Sequence, residues 1–216
     1  MKVEIWSDVM CPFCYIGKRK FEQALERFPH RDNVQVTWKS FQLDPAIKSG
    51  HGRSVNEYLA ERKGWSLDQA RKMNDHVTQS AKGVGLDYDF DKAVVANSFD
   101  AHRLVQLAKT KGLDGAVEEN LFKAYFTEGK DIADRETLAK IGAEAGLDET
   151  EIRATLQGDA FAAEVHRDIL ESRQIGVQGV PFFVVDRKYA VSGAQDSATF
   201  LKVLEQALHP SSGRAP

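Results

Sequence analysis

Apolar and polar positions switch between two periods along the chain, and the switches outline an architecture. Val3, Ile5 and Trp6 mark residues 2–7 as a strand. Residues 12–28 carry Ile16, Phe21, Ala24, Leu25 and Phe28 as a helical apolar stripe. Pro12 lies in the first turn of that helix, where its missing N–H costs nothing, and Pro29 stops it. Val34, Val36 and Trp38 alternate with polar residues, so 34–38 reads as a second strand. A strand, a crossover helix and a second strand make a βαβ unit with a parallel pair.

Beyond Pro45 the strand period disappears. Between about residues 54 and 175 the pattern predicts only helices, over 54–63, 66–82, 97–111, 114–127, 134–145, 148–157 and 159–175. Ser54 with Glu57 matches a capping box, Ser66 is a second N-cap, and Gly112, Gly146 and Gly158 punctuate the connections. No repeat period or low-complexity segment interrupts the block. Strand character returns at Phe182–Val185. Asp186-Arg187-Lys188 reads as a hairpin turn into Tyr189–Ser192, and residues 197–208 form a last amphipathic helix. The expected class is α/β, in the order βαβ, helical insertion, ββα. Residues 1–45 and 176–208 form a discontinuous sheet domain, and 46–175 the insertion. Residues 209–216 have nothing to bury and are expected to be a disordered tail.

Composition narrows the function without naming it. The 216 residues are 42% hydrophobic and 28% charged, as in a soluble globular protein. A net charge of −3 gives no basic footprint for nucleic acid, and no charge run reads as an anionic-membrane patch. No stretch approaches the roughly 20 apolar residues of a spanning helix. Only Lys2 precedes the first strand and no secretory-signal pattern is seen, so the expected setting is the cytoplasm. Nothing in the pattern sets an oligomeric state.

The chemistry concentrates at Cys11-Pro12-Phe13-Cys14, which holds both cysteines of the chain. The first cysteine falls at a helix N-terminus, where free N–H groups and the positive end of the dipole favour a thiolate. Its pKa is therefore expected below the free value of about 8.5. As the exposed, more N-terminal sulfur, Cys11 is the expected nucleophile, with Cys14 one turn on to resolve a mixed disulfide. Two bland readings stand beside this one, a zinc half-site and a pair of inert core cysteines. Zinc normally needs four ligands, and the six histidines show no HxxxH-type pairing, so no metal site is expected. Two cysteines in a CxxC are not a structural disulfide framework.

Several segments carry a resemblance. Cys11–Cys14 between strand and helix, and Gly179-Val180-Pro181 before the third strand, resemble the thioredoxin fold. The helical insertion between its halves resembles the DsbA family. Ser7–Cys14, Asn97–Leu104 and Gly176–Phe183 resemble its FrnE-like branch, which is similar to 2-hydroxychromene-2-carboxylate isomerases and kappa-class glutathione transferases. The resemblance spans residues 1–208. It implies a cis Val180–Pro181 bond facing the cysteines, with Val180 pairing a substrate backbone by strand addition. It also places the helix of Ser98 and His102 over the site, where His102 would shuttle a proton or bind substrate. A helix cap or local backbone partner is the plainer reading of Asn97, Ser98 and His102. Pro12, Phe13, Tyr15, Phe99 and Phe182 are candidates to line a groove, with simple core packing as the alternative for Tyr15, Phe99 and Phe182.

The departures from the family pattern matter as much. The isomerase and transferase relatives typically have serine where Cys11 stands, so the cysteine pair favours dithiol chemistry. Phe13 replaces the histidine common in secreted DsbA proteins and supplies no cation, which predicts a less oxidising couple. Some FrnE-like proteins carry a second cysteine pair; this chain has none, which excludes an internal relay. The family's buried carboxylate falls six residues before the first cysteine, where Ile5 stands. Glu4 and Asp8 are not secure substitutes, so the proton acceptor for Cys14 is unassigned and water is the default. The resulting expectation is a thiol–disulfide oxidoreductase acting on protein, peptide or small thiols. It needs no bound cofactor and is recycled by glutathione or a thioredoxin system. A glutathione-dependent isomerase or transferase of small aromatic or polyketide-like substrates is the first alternative, and a chaperone-like binding module the second.

Overall fold

The computed structural model describes residues 1–49 and 54–209. The tail predicted from residue 209 lies outside the described residues beyond His209. Strand β1 (Lys2–Ser7) leads through α1 (Pro12–Arg27) to β2 (Gln35–Ser40). The helices α2 (Val55–Lys63), α3 (Leu67–Lys82), α4 (Phe99–Lys109), α5 (Asp114–Phe126), α6 (Arg135–Glu144), α7 (Glu149–Gln157) and α8 (Ala162–Gln174) follow. The chain then returns through β3 (Phe182–Val185), β4 (Tyr189–Ser192) and α9 (Ser197–Leu208).

The sheet order is β2-β1-β3-β4, with β1 parallel to β2 and β3 antiparallel to both β1 and β4. Adjacent parallel strands need a crossover, and α1 supplies it. β2 runs two residues past its predicted end because Trp6 and Ser7 of β1 pair with Lys39 and Ser40. Phe21 of α1, Phe183 of β3 and Phe200 of α9 cluster with ring centroids 4.6–5.6 Å apart, tying one helical layer to the sheet. Helices α4, α5 and α8 pack against β2. There the buried Trp6 indole N–H donates to the Asp168 carbonyl at 3.0 Å, and Lys39 bridges Asp168 and Glu171 at 2.6 and 2.8 Å.

Both predicted caps in the insertion form. Ser54 with Glu57 and Ser66 with Gln69 are reciprocal capping boxes. Two helices start later than the pattern predicts. α4 begins at Phe99, whose N–H is taken by the Asn97 side chain at 2.9 Å. α8 begins after Phe161, which adopts a left-handed φ of 64°. Residues 84–98 form no helix, yet bury Leu86, Tyr88, Phe90 and Val95. Among the described residues of this segment the one ladder contact is the bridge Ser54–Val94. The buried core runs from Val3 and Ile5 of the sheet through Tyr15 to Leu104, Phe122 and Phe126 of the helices.

Candidate active site

The site forms where β1 ends and α1 begins. The intervening turn is closed by the Cys11 N–H donating to the Asp8 carbonyl at 2.9 Å. The Asp8 carboxylate accepts from the Leu43 N–H at 2.7 Å and the Met10 N–H at 3.4 Å, which fixes the loop after β2 beside the turn. Cys11 is the N-cap residue of α1 and Pro12 occupies its first turn. Cys14 lies one turn in, its N–H donating to the Cys11 carbonyl at 3.0 Å.

Cys11 is buried, contrary to the exposure expected from its N-terminal position; it is 4% accessible. Distant segments build walls around it. Together with Cys11, Pro12 and Phe13, an apolar cavity of about 520 Å³ is lined by Leu43, by Tyr58 and Leu59 of α2, by Met73 of α3, and by Gly179 and Val180. Phe13 is 44% exposed at this cavity. The Val180–Pro181 bond is cis, and the Cys11 thiol donates to the Val180 carbonyl at 3.5 Å. Pro181 itself supports the site from behind. Its ring packs so closely on α1 that a Cβ on Gly17 would lie 2.9 Å from the Pro181 Cγ.

Other expected contacts are placed elsewhere. His102 does not line the cavity; it is 1% exposed, on the buried side of the turn. Its Nε2 is 3.4 Å from the Asp8 carboxylate, within ion-pair range but without hydrogen-bond alignment. Burial opposes the imidazolium, but Asp8, Glu118 and the Phe41 backbone outweigh it, so the His102 pKa is raised. Asn97 is a cap, as the plainer reading held, whereas the Ser98 side chain makes no capping bond. Tyr15 is core, stacked on Phe122 with centroids 4.8 Å apart, and Phe99 packs against the His166 ring at a tilt of 39°. Phe182 is not part of the cavity lining.

A second, deeper layer escaped the sequence reading. Ser7, at the end of β1, donates its hydroxyl to the Glu118 carboxylate of α5 at 2.8 Å, and both residues are 1% exposed. Burial raises the Glu118 pKa to about 7, against His102, the Ser7 hydroxyl and Lys18, which lower it, and with Asp8, which raises it. Cys14, also 1% exposed, is pushed up by burial first and by Cys11 second, while the Asp8 backbone and the Ser7 side chain favour its thiolate. Glu4 is spent elsewhere, paired with Arg187 and Lys2. The neighbouring Glu119 binds the Tyr15 hydroxyl at 2.6 Å, together with Lys18 and Arg19, and so ties α1 to α5. Tyr88, from the irregular segment, donates to the Pro12 carbonyl at 2.7 Å. The sequence held one clue to Glu118: it sits with Leu121, Phe122 and Tyr125 on the apolar stripe of its helix, where a charge is out of place. Among the described residues, no group of three or more His, Cys, Asp and Glu side chains is placed to hold a metal ion.

Comparison with known proteins bears on this arrangement. The crystal structure of a probable DsbA oxidoreductase, SCO1869 from Streptomyces coelicolor, is 40% identical and superposes with a TM-score of 0.93, covering 100% of this chain and 93% of that one. The uncharacterised protein YwbO of Bacillus subtilis (strain 168) is 25% identical over 94% of both chains. The cytosolic disulfide reductase DsbM from Pseudomonas aeruginosa, solved with GSH, shares the fold at 19% identity and a TM-score of 0.68, over 96% of this chain and 99% of that one. The profile of the DSBA-like thioredoxin domain matches residues 2–205. By that match and by the architecture around its cysteine pair, the chain belongs to the DSBA-like thioredoxin domain family.

Proposed function

We propose that this protein is a thiol–disulfide oxidoreductase working through the Cys11–Cys14 couple. The carrying observation is the placement of Cys11 at the N-terminus of α1, on the wall of an apolar cavity, with Cys14 one turn deeper. The free N–H groups of the first turn favour negative charge on the Cys11 sulfur. That thiolate attacks a substrate disulfide; a mixed disulfide forms and one substrate thiolate leaves. Cys14 then attacks the Cys11 sulfur, closing the internal disulfide and releasing the second substrate thiolate. The protein loses two electrons and the substrate gains them; the reverse sequence oxidises a substrate dithiol. Neither direction needs a metal or an organic cofactor.

Pro12, Phe13 and the Val180 backbone are the substrate contacts of this reading, with Val180 offering its peptide groups to an extended chain. Pro181 holds that segment against α1. Glutathione or a thioredoxin system would return the couple to its starting state. The DsbM structure supports glutathione and a cytoplasmic setting, since that protein is a cytosolic disulfide reductase solved with GSH. Substitution separates this reading from a glutathione-dependent isomerase. Cys14→Ser, incubated with oxidised glutathione, should accumulate a glutathione adduct on Cys11 that wild type resolves, and Cys11→Ser should form none. Undiminished turnover of a small aromatic substrate by Cys14→Ser, with no adduct, would overturn it.

A further inference from the structure

Cys11 is buried in the wall of its cavity, so a substrate sulfur has to enter the cavity to reach it. Two sides of that cavity are stitched together by a single carboxylate. Asp44, in the loop after β2, accepts from the Tyr58 hydroxyl of α2 at 2.6 Å and from the Arg62 guanidinium one turn further on. Arg62 also donates to the Leu43 carbonyl at 3.1 Å. The Ala46 N–H donates to the other Asp44 oxygen at 3.2 Å and so aims the carboxylate at α2. The Asp44 side chain is only 13% exposed, and Leu43, Asp44, Tyr58 and Arg62 all line the cavity. Charge-assisted bonds to a largely buried carboxylate hold better than exposed surface pairs. Apart from this clasp, α2 packs on α3, and α3 on α1.

We propose that this clasp makes the site one for low-molecular-mass disulfides with an apolar body, and that Asp44 sets that specificity by excluding polypeptide disulfides. The proposal rests on the thiol–disulfide reading above and narrows its substrates. A cavity of about 520 Å³ has the dimensions of a small-molecule site. A protein disulfide brings two backbone segments to its sulfurs, and those need an open groove. Here Asp44 bridges the loop after β2 to α2, which closes such a groove. Inside, Leu59, Val77, Phe90 and Phe126 offer apolar surface to an aromatic or aliphatic body. Val180 stays on the wall for the backbone of a short peptide, so the clasp restricts size and not backbone pairing. Asp44 touches no reacting atom and is a positioning residue. The exchange at Cys11 is the same with either class of disulfide.

The test compares two disulfides, a small aromatic one (dithiobis-nitrobenzoate) and a polypeptide one (insulin). Each is mixed with the reduced full chain, and loss of the protein thiols is followed by trapping and intact mass. Free dithiothreitol, which has no cavity, gives the intrinsic reactivity ratio of the two disulfides. Wild type should prefer the aromatic disulfide beyond that ratio, on the order of tenfold or more. Asp44→Ala should lose about tenfold of the preference, through a faster reaction with insulin. Tyr58→Phe leaves the Ala46 and Arg62 bonds in place and should lose about threefold. A gain of reaction with unchanged thermal melting separates unclasping from damage. Should Asp44→Ala not fold, Tyr58→Phe decides alone. Wild type matching the dithiothreitol ratio, or folded variants keeping the wild-type preference, would overturn the proposal. Wild type reacting with neither disulfide would instead overturn the thiol–disulfide reading on which it rests.

Discussion

Burial acts on Cys14 and Glu118 in the same sense: it disfavours the charged form of each, pushing the Cys14 thiol well above its ordinary value and the Glu118 carboxyl up to about 7. This has a thermodynamic signature. Glu118 titrates near 4.5 in the unfolded chain and near 7 in the folded one, so between those values the folded state binds more protons. Stability contributed by the neutral carboxyl is present at low pH and lost as pH rises through about 7. His102, also raised, acts in the same direction, since its charge favours the fold until it deprotonates. Denaturant unfolding of wild type and Glu118→Gln should therefore diverge across that window. Wild type should lose on the order of 3 kcal/mol relative to the variant, and parallel curves would refute the assignment. Phe13 belongs to the same scale. Half-exposed at the cavity mouth, it has apolar surface left to bury on a substrate. Phe13→Ala should raise KM for an apolar peptide disulfide about fivefold, worth about 1 kcal/mol, with a smaller change in kcat.

Between elements, the cysteine turn depends on close approach. Gly17 faces Pro181, and the 2.9 Å separation leaves no room for a methyl group. Gly17→Ala would gain up to about 1 kcal/mol of helix propensity but cost about 1–3 kcal/mol in displaced packing. The net result should be a lower Tm and a slower reaction at Cys11, read by thermal melting and by thiol alkylation. Arg103 has a comparable role in the insertion. Its guanidinium, 3% exposed with the rest of the residue, donates to the carbonyls of Ala160 at 2.9 Å and Gly158 at 2.6 Å, and to Asp100 at 2.8 Å, fastening α4 to the α7–α8 connection. Arg103→Ala removes those bonds and the packing of a buried side chain, while the exposed Gly158 and Ala160 carbonyls turn to water, and should cost about 1–2 kcal/mol in chemical unfolding. Helix and strand positions were legible in the sequence because each rests on a local period, a cap or a stop. Their ends were less so. β2 reaches Ser40 because β1 is there to pair with it, and α8 starts late because Phe161 turns left-handed. The cysteine pair was legible as a motif, but the burial of Cys11 was not, since its walls come from α2, α3 and the segment before β3. Glu118 was visible as a charge on an apolar stripe; its partner Ser7, 111 residues back, was beyond any local signal.

At the scale of the whole molecule, one site is assembled from both the sheet and the insertion. The sheet side contributes the cysteine turn and Val180, while the insertion contributes cavity walls beside Cys11 and the Glu118 carboxyl that accepts from Ser7. Among the described residues no helix is long and apolar enough to cross a membrane, and the cavity wall is mainly apolar, with Asp44, Arg62 and Lys63 as its charged residues. All of this matters only if Cys11 and Cys14 form a reversible couple. The most direct measurement is equilibration of the full chain across glutathione buffers from fully reducing to fully oxidising, followed by thiol trapping and intact mass. The account predicts a single two-electron transition in which both trapped thiols disappear together and return on reduction. A chain that keeps two trappable thiols in every buffer, or stops at one glutathione adduct with Cys14 still free, would contradict it.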